Sequence, residues 1–351
     1  MKKTKMRLFA FACFAFILLF SSCSAQKTTT QNANPVWWNK IWLLDGTREM
    51  FDFGLTRAIQ DVGDSMYFFD QTGIFVYDFS SDTVTQILDD PMIASFCVDG
   101  DTVYFTKRYS QSKQDDSANI YQLSLKNPKK TTLFLNGETL RQQLDEEIVL
   151  LSDLRVCDGY IIFKDSGVDY IAFSLKTKEM FRLAMNSSSL EILDGYAYYD
   201  GRHDNSIYKK ELRIDAQEEV LFGNGHDGID PQDEEIAYKR VYVAQNHLFI
   251  LQSNPPALFE WTENTQNMIS TTVSADTKIP QIANNKVYYN DDNGNLHCYN
   301  PESKTDTIAC DDASYRSAGD DYLVLRDRLF FGVKTGPFAN SPIDWLSLRL
   351  K

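Results

Sequence analysis

The chain has 351 residues, of which 49 are Asp or Glu and 35 are Lys or Arg, giving a formal net charge of −14. Four positive charges and no negative ones lie in the first 22 residues, so the remainder carries −18. A surface this acidic repels phosphate backbones and anionic lipid headgroups, which argues against a nucleic-acid-binding protein.

The first 22 residues have the layout of a secretory signal. Four basic residues at 2, 3, 5 and 7 precede an apolar run at 8–20. This run is shorter than the roughly 20 apolar residues that span a bilayer, so a retained transmembrane anchor is not expected. The sequence predicts an exported protein with a signal peptide at 1–22.

The end of this segment, Leu19-Phe20-Ser21-Ser22-Cys23, resembles the lipobox of bacterial lipoproteins, although Phe20 stands where that motif usually has Leu. The resemblance implies that Cys23 becomes the lipid-modified first residue. Cys23-Ser24-Ala25 also fits an ordinary cleavage site, so plain secretion stays open as the alternative. Residues 23–35 are rich in Ser, Thr, Gln and Asn, and we interpret them as a disordered tether.

Residues 36–351 repeat one short pattern and are predicted to form a single domain. A turn made of Asp-Gly, Gly-Asp or a similar pair leads into an aromatic run, and the successive anchor positions are 36 to 57 residues apart. The shortest intervals approach the length of a four-stranded propeller blade. The pattern occurs at 63–70, 99–106, 158–165, 194–200, 245–250 and 284–291.

Alternation and turn residues predict four strands in each repeat. In the third repeat, for example, they fall at 151–157, 160–164, 168–175 and 179–184. A seventh unit at 322–349 lacks one strand, which the strand-like run 36–44 is predicted to supply, because closure removes exposed sheet edges. The predicted fold is all-β, a seven-bladed β-propeller of four-stranded antiparallel blades closed by an N-terminal strand. A pair of β-sandwiches or a solenoid is the alternative.

The repeats also contain an aromatic-aromatic-x-Asp pattern, at Tyr67-Phe68-Phe69-Asp70 and Tyr288-Tyr289-Asn290-Asp291, with weaker forms at 162–165 and 197–200. It resembles the Tyr-Trp-Thr-Asp repeat of lipoprotein-receptor propellers. The chain is similar to an uncharacterised family of exported bacterial propellers related to those domains. The resemblance implies the fold and assigns no catalytic residue.

Four cysteines remain after processing besides Cys23, in a compartment that permits disulfides. Disulfide pairing and buried free thiols both stay open for Cys97, Cys157, Cys298 and Cys310. A four-residue turn at 301–304 predicts that Cys298 lies opposite Thr307. No cofactor or metal is expected, because the acidic segment 223–235 lacks the ligand spacing of a calcium loop and 291–295 fits a hairpin turn.

Insertions beyond the short turns lie at 108–118, 136–147, 223–235 and 335–341. They join second to third strands or one blade to the next, and both kinds of connection emerge on one face of a propeller. Elaborated loops on a rigid scaffold are where binding usually resides. A helix at 138–150 is predicted to turn Leu140, Leu144 and Ile148 toward the core. The candidate binding residues are Arg108, Tyr109, His203, His226 and Asp227.

These features predict a monomeric binding or scaffold propeller that is tethered to a bacterial membrane by a lipid anchor and engages a protein, peptide or glycan outside the cytoplasm. Motifs of metalloproteases, serine hydrolases and phosphate-binding loops are missing from the sequence, and no catalytic residue is assigned. Propeller enzymes often assemble sites from residues distant in sequence, so a hydrolase or lyase acting on an extracellular polymer is the alternative.

Overall fold

The fold is taken from a computed structural model that describes residues 59–350, except for 71, 82, 110–116, 145–147, 149, 166–168, 202–205, 224–236, 263–264, 274–278, 318–321 and 335–342. These residues belong to one compact unit, Asn34–Lys351. The predicted signal peptide, Cys23, the tether and the strand at 36–44 lie outside the described residues. Neither helix in the described part is long and apolar enough to cross a bilayer.

The described strands form seven antiparallel sheets in chain order, which we number as blades 1 to 7. Blade 1 contains β1 (Ile59–Val62), β2 (Ser65–Asp70), β3 (Gly73–Asp78) and β4 (Thr83–Asp89). Blade 2 contains β5 (Ile93–Asp99), β6 (Thr102–Lys107), β7 (Ile120–Ser124) and β8 (Asn127–Leu135), followed by helix α1 (Gly137–Leu144). Blade 3 contains β9 (Leu151–Cys157), β10 (Tyr160–Asp165), β11 (Asp169–Ser174) and β12 (Met180–Ala184).

Blade 4 contains β13 (Leu190–Leu193), β14 (Tyr196–Asp200), β15 (Ile207–Glu211) and β16 (Glu218–Phe222). Blade 5 contains β17 (Ala237–Ala244), β18 (His247–Asn254), β19 (Pro256–Thr262) and β20 (Thr265–Ser270). Blade 6 contains β21 (Gln281–Ala283), β22 (Lys286–Asn290), β23 (Leu296–Asn300) and β24 (Thr305–Cys310), followed by helix α2 (Ala313–Arg316). Blade 7 shows three strands in the described residues, β25 (Tyr322–Leu325), β26 (Arg328–Lys334) and β27 (Ile343–Arg349).

The apolar cores lie between blades rather than within them. Strand alternation sends Ile161 and Phe163 of β10 toward blade 2, while Ile162 between them faces blade 4. Seven buried clusters of this kind occur in the described residues, one for each pair of neighbouring blades. Each blade therefore buries its two faces only by stacking, as the repeat pattern predicts.

The ring closes between blade 7 and blade 1. Leu323 and Phe330 of blade 7 pack with Phe68 and Phe75 of blade 1 in one buried cluster. Arg326, in the first hairpin turn of blade 7, also reaches blade 1 through its guanidinium group. This closure confirms the propeller expected from the repeats and excludes a linear solenoid.

All seven turns between the first and second strand of a blade contain two residues. Such hairpins require a positive φ at one or both central residues. Asp158-Gly159 and Asn284-Asn285, for example, have φ values of 49° and 80°, and of 50° and 57°. The turn residues that punctuate the sequence therefore set the register of each blade.

Antiparallel order places the first and third turns of every blade at one end of the ring, which we call the short-turn face. The second turn and the connection to the next blade lie at the other end, which we call the long-loop face. First strands of neighbouring blades contact one another, as β5 does with β9 and β13 with β17, so they line the inner side of the ring. The third turn of blade 6 sets Cys298 opposite Thr307, as predicted.

None of the four cysteines of the propeller, all of them in the described residues, forms a disulfide. Cys97 and Cys310 are buried, and Cys157 and Cys298 are partly buried. Burial raises the pKa of the Cys157 thiol to about 11. Of the two possibilities left open by the sequence, the structure shows thiols that form no disulfide.

Candidate binding face

The two faces differ strongly in the length of chain they carry. Between β1 and β27, thirteen connections on the long-loop face total 95 residues, whereas thirteen on the short-turn face total 37. The longest are 108–119, 136–150 and 223–236, all on the long-loop face. As expected from the sequence, the long connections therefore lie on one face of the ring and the short ones on the other.

The connections of blade 2 are held at their bases by close packing. A Cβ on Gly137 would lie 2.7 Å from the Cβ of Ala118, so glycine allows the start of α1 to touch the end of the 108–119 connection. Across this contact, the Gly137 backbone N–H donates to Asn119 Oδ1 at 2.8 Å. Ser117 and Ala118 are fully buried. The end of the first connection and the start of the second are therefore packed tightly against each other.

Helix α1 packs its apolar stripe against the core between blades 2 and 3. Leu140 is fully buried there and Leu144 is partly buried, as the helical spacing predicts. The helix ends at Leu144 rather than at the predicted residue 150. Ile148 is buried in the same core without being helical, and its carbonyl accepts a hydrogen bond from Arg141 Nε at 3.2 Å.

Arg108 and Tyr109, two of the predicted binding residues, begin the 108–119 connection. The Arg108 backbone N–H donates to Met92 O at 2.6 Å, and its Nε donates to Ile93 O at 3.0 Å. Arg108 is thus fastened to the first strand of its own blade. Tyr109 has 43 % of its surface exposed, so its aromatic ring faces solvent.

The other predicted residues, His203, His226 and Asp227, lie outside the described residues, but the bases of their connections are described. A Cβ on Gly223 would lie 2.4 Å from Ser206 Oγ, and Gly223 has a φ of 92°, which glycine adopts without strain. The connection with His203 therefore ends against the start of the connection with His226 and Asp227. In blade 2 and in blade 4 alike, a glycine allows two connections of the long-loop face to pack closely together.

A buried carboxylate fixes the connection from blade 3 to blade 4. Asp200 is 4 % exposed and accepts hydrogen bonds from the hydroxyls of Ser187, Ser188 and Ser189 at 2.5 to 3.0 Å. The backbone N–H groups of Ser188 and Ser189 donate to it at 3.0 and 2.5 Å. Asp200 ends the second strand of its blade, where the aromatic-aromatic-x-Asp pattern places it.

Asp165 and Asp291 occupy the same position in blades 3 and 6. Asp165 accepts from the Asp169 backbone N–H at 3.1 Å. Asp291 accepts from the backbone N–H groups of Asn293 and Asn295 at 2.9 and 2.8 Å, which closes the hairpin turn expected there. In blades 3 and 6 the Asp of the repeated pattern therefore binds the backbone of the connection that follows it, whereas Asp200 binds the connection that precedes its blade.

A network of ionised groups lies on the inner strands of blades 3 and 4. Arg155 Nη2 lies 3.1 Å from Asp153 Oδ2, and its Nη1 lies 3.6 Å from Glu191 Oε2. Tyr170 donates to Asp153 Oδ2 at 2.6 Å. Burial alone would lower the pKa of Arg155, but the two carboxylates outweigh it and raise that pKa.

A hydrolase or lyase can use a carboxyl group as its general acid or base, so these carboxylates bear on that alternative. Arg155 lies between Asp153 and Glu191, so its guanidinium group contacts both carboxylates. The arrangement is that of an internal ion network. The sequence does not predict these residues. The charged pair Asp153 and Arg155, two positions apart in a largely apolar strand, is a visible signal.

In the described part of the chain, no group of three or more His, Cys, Asp or Glu side chains could hold a metal ion. The acidic segment 223–235 falls almost entirely outside that part. Of its residues, only Gly223 is described.

No protein-family model and no curated protein matches the sequence. Among solved structures, the chain is similar to a puromycin hydrolase, with a TM-score of 0.52 and 10 % identity over 83 % of this chain and 51 % of that one. A mutant of that enzyme complexed with PGG gives a TM-score of 0.53 and 9 % identity, over 85 % of this chain and 53 % of that one. Hsv2 of Kluyveromyces lactis gives 0.48 and 9 %, over 82 % of this chain and 94 % of that one.

At these identities the likeness to the puromycin hydrolase shows the fold alone, and this chain spans about half of that protein's length. The sheets, the inter-blade cores and the ring closure define the class: the protein is a seven-bladed β-propeller.

Proposed function

We propose that this propeller is a binding or scaffold module that engages a protein or peptide through its long-loop face. The observation that carries the proposal is the distribution of the connections, 95 residues on that face against 37 on the other. A rigid ring gives long connections fixed starting points, so a binding surface can be built from several of them. The bases at Gly137 and Gly223 supply such starting points.

The charge of these connections favours a cationic partner. The 95 residues include 20 Asp or Glu and six Lys or Arg, which gives a net charge of −14. A field of this sign speeds encounter with basic surfaces and repels acidic ones. Of the partner classes predicted from the sequence, a basic protein or peptide fits this face better than an acidic glycan.

We further propose that the propeller works outside the cytoplasm, held at a bacterial membrane through Cys23 and the tether at 23–35. Support comes from the sequence of the first 35 residues. One acyl chain gives marginal membrane binding and two give stable residence. An anionic domain is repelled by anionic headgroups, so a tether that separates the two removes an unfavourable interaction.

The proposed function is tested with an oligolysine peptide and with an oligoglutamate peptide of the same length. The first variant converts five acidic residues of one long connection to their amides: Asp227, Asp230, Asp233, Glu234 and Glu235. The matched control converts five acidic residues of the short-turn face in the same way: Asp64, Asp158, Glu179, Asp194 and Asp215. Both variants change the net charge equally.

We expect the native chain to bind oligolysine and not oligoglutamate, with an affinity that falls as salt is raised. The first variant should lose at least about fivefold in affinity and the control less than about twofold. Equal losses would mean that only total charge matters. A larger loss in the control would place binding on the other face, and either result would refute the proposal.

A further inference from the structure

A cleft of about 770 Å³ opens on the short-turn face where blades 6, 7 and 1 meet. Hairpin turns of all three blades line it, with Lys286, Tyr288 and Leu350 among the lining residues. Its volume lies in the range of small-molecule pockets, and it is open to solvent rather than enclosed. The cleft is on the face opposite the long connections, so a ligand bound in it is independent of the proposed function.

The charges that line the cleft are paired, with one exception. Asp61 is bound by Arg326 at 2.6 and 2.8 Å, and Asp327 is bound by Arg349 at 2.8 Å. Lys286 is half-buried and has no ion pair among the described residues. Lys286 is therefore the one charged lining group without an ion pair in the described part of the chain, although the four charged lining residues together are neutral.

Lys286 lies on the wall that faces blade 7. It begins β22, two residues before Tyr288 and therefore on the same side of the strand, and Tyr288 is buried against blade 7. Cys298 packs in the same core between blades 6 and 7; burial raises the pKa of its thiol, and a hydrogen bond with Tyr288 and the charge of Lys286 partly oppose this rise. The Lys286 ammonium group therefore lies close to the contact between blades 6 and 7.

The remaining lining supplies hydrogen-bonding groups and an apolar wall. The Asn284 amide donates to Arg326 O at 2.5 Å, which fixes the turn of blade 6 against blade 7. The side chain of the next turn residue, Asn285, is exposed and makes no hydrogen bond among the described residues. Leu350 provides the main apolar contact, since Tyr288 is only 4 % exposed. The Lys286 ammonium, the Asn285 amide and the Leu350 side chain can together orient a small acid.

We infer that this cleft binds a small ligand with a single carboxylate, such as an acidic disaccharide or the free C-terminus of a short peptide. The Lys286 ammonium would donate to the carboxylate, and the Asn285 amide would bond to a neighbouring polar group. A monoanion balances the single free charge of Lys286. A dianion such as phosphate would leave an excess negative charge beside Asp61 and Asp327.

The inference is tested by calorimetric titration of the full chain with two matched pairs of probes. Trialanine is compared with its C-terminal amide, and a glucuronic-acid disaccharide with the neutral disaccharide that lacks the carboxylate. At least one acid should bind saturably, and its neutral counterpart should bind at least about tenfold more weakly. The pair that responds identifies the source of the carboxylate.

Three variants assign the binding to the cleft. Lys286→Gln should weaken the acid at least about tenfold, while Lys286→Arg keeps the charge and should stay within about threefold of the native chain. Asn285→Gly suits the left-handed turn conformation and should weaken it about threefold. As a matched control, Lys130→Gln removes the same charge from an exposed site on blade 2 and should change nothing.

Absence of saturable binding by both acids would overturn the inference. So would equal affinity for an acid and its neutral counterpart, or equal behaviour of the Lys286→Gln and Lys130→Gln variants. The free energy of unfolding of each variant is measured alongside, and Lys286→Arg with Asn285→Gly decide the result if Lys286→Gln is unstable. None of these variants alters the long-loop face, so failure here leaves the proposed function untouched.

Discussion

Replacement of Arg326 by Ala should weaken the closure of the ring. The guanidinium makes two hydrogen bonds to Asp61 at 2.6 and 2.8 Å and one to Gly63 O at 2.8 Å. It also lies 3.3 Å from the centre of the Phe79 ring. All three partners are on blade 1, while Arg326 itself is on blade 7. The substitution therefore removes polar contacts across the closing seam.

The expected loss is about 2 kcal/mol. About a third of each side chain in the Arg326–Asp61 pair is exposed, so the pair contributes about 1 kcal/mol at most. The Gly63 hydrogen bond and the Phe79 contact each add about 0.5 kcal/mol at such a site. Asp61→Asn spares those two contacts and should cost about 1 kcal/mol.

Urea unfolding of the two single variants and the double variant measures these values. Arg349→Ala is the matched control, because its pair with Asp327 lies within blade 7 and is more exposed, and it should cost less than about 0.5 kcal/mol. Arg326 has a φ of 51°, so Arg326→Gly should be less damaging than Arg326→Ala. A loss for Arg326→Ala no larger than that for Arg349→Ala would refute the assignment of a closing contact.

Three further predictions concern buried groups. Glu260 is fully buried and accepts hydrogen bonds from Tyr299, Lys304 and His247; burial alone would raise its pKa, but these partners lower it below the ordinary 4.5. The ionised Glu260 should therefore stabilise the folded state at pH values above 4.5, and this stabilisation should be lost as the pH falls through the lowered pKa. Glu260→Gln should remove this part of the pH dependence from the free energy of unfolding. Asp200→Asn should cost about 2 kcal/mol in urea unfolding and speed amide exchange at Ser188 and Ser189, because the new amide faces their donors; unchanged exchange would contradict the anchoring role. In native protein at mildly alkaline pH, alkylation should reach Cys157 and Cys298 before Cys97 and Cys310, as peptide mass analysis will show, and early modification of Cys97 would contradict its burial.

Local features of the fold could be predicted from sequence because they depend on local chemistry. Two-residue hairpins need residues that tolerate positive φ, so pairs such as Asp158-Gly159 and Asn284-Asn285 mark them in the sequence. Alternation then places the strands and their registers, including Cys298 opposite Thr307. The predicted end of α1 lies too far along the chain, because Ile148 continues the apolar spacing although the backbone has already left the helix.

Contacts between distant blades could not be predicted in this way. Arg326 and Asp61 are 265 positions apart, and neither has neighbours that mark it as a closing residue. Arg155 meets Glu191 only because their strands are adjacent in the ring. Arg108 shows the same limit within the candidate face, since its position in the chain predicts the long-loop side but does not indicate that its side chain is held by Ile93 O.

The placement of every core between two blades has a consequence for how this chain unfolds. Loss of one blade from a closed ring damages two cores at once, whereas loss of the terminal unit of a linear array damages one. The ring should therefore resist fraying from its ends and melt as one unit, with a calorimetric enthalpy equal to the van't Hoff enthalpy despite a size at which domains often unfold in stages. Such cooperativity would let a partner bound at any one blade stabilise all seven.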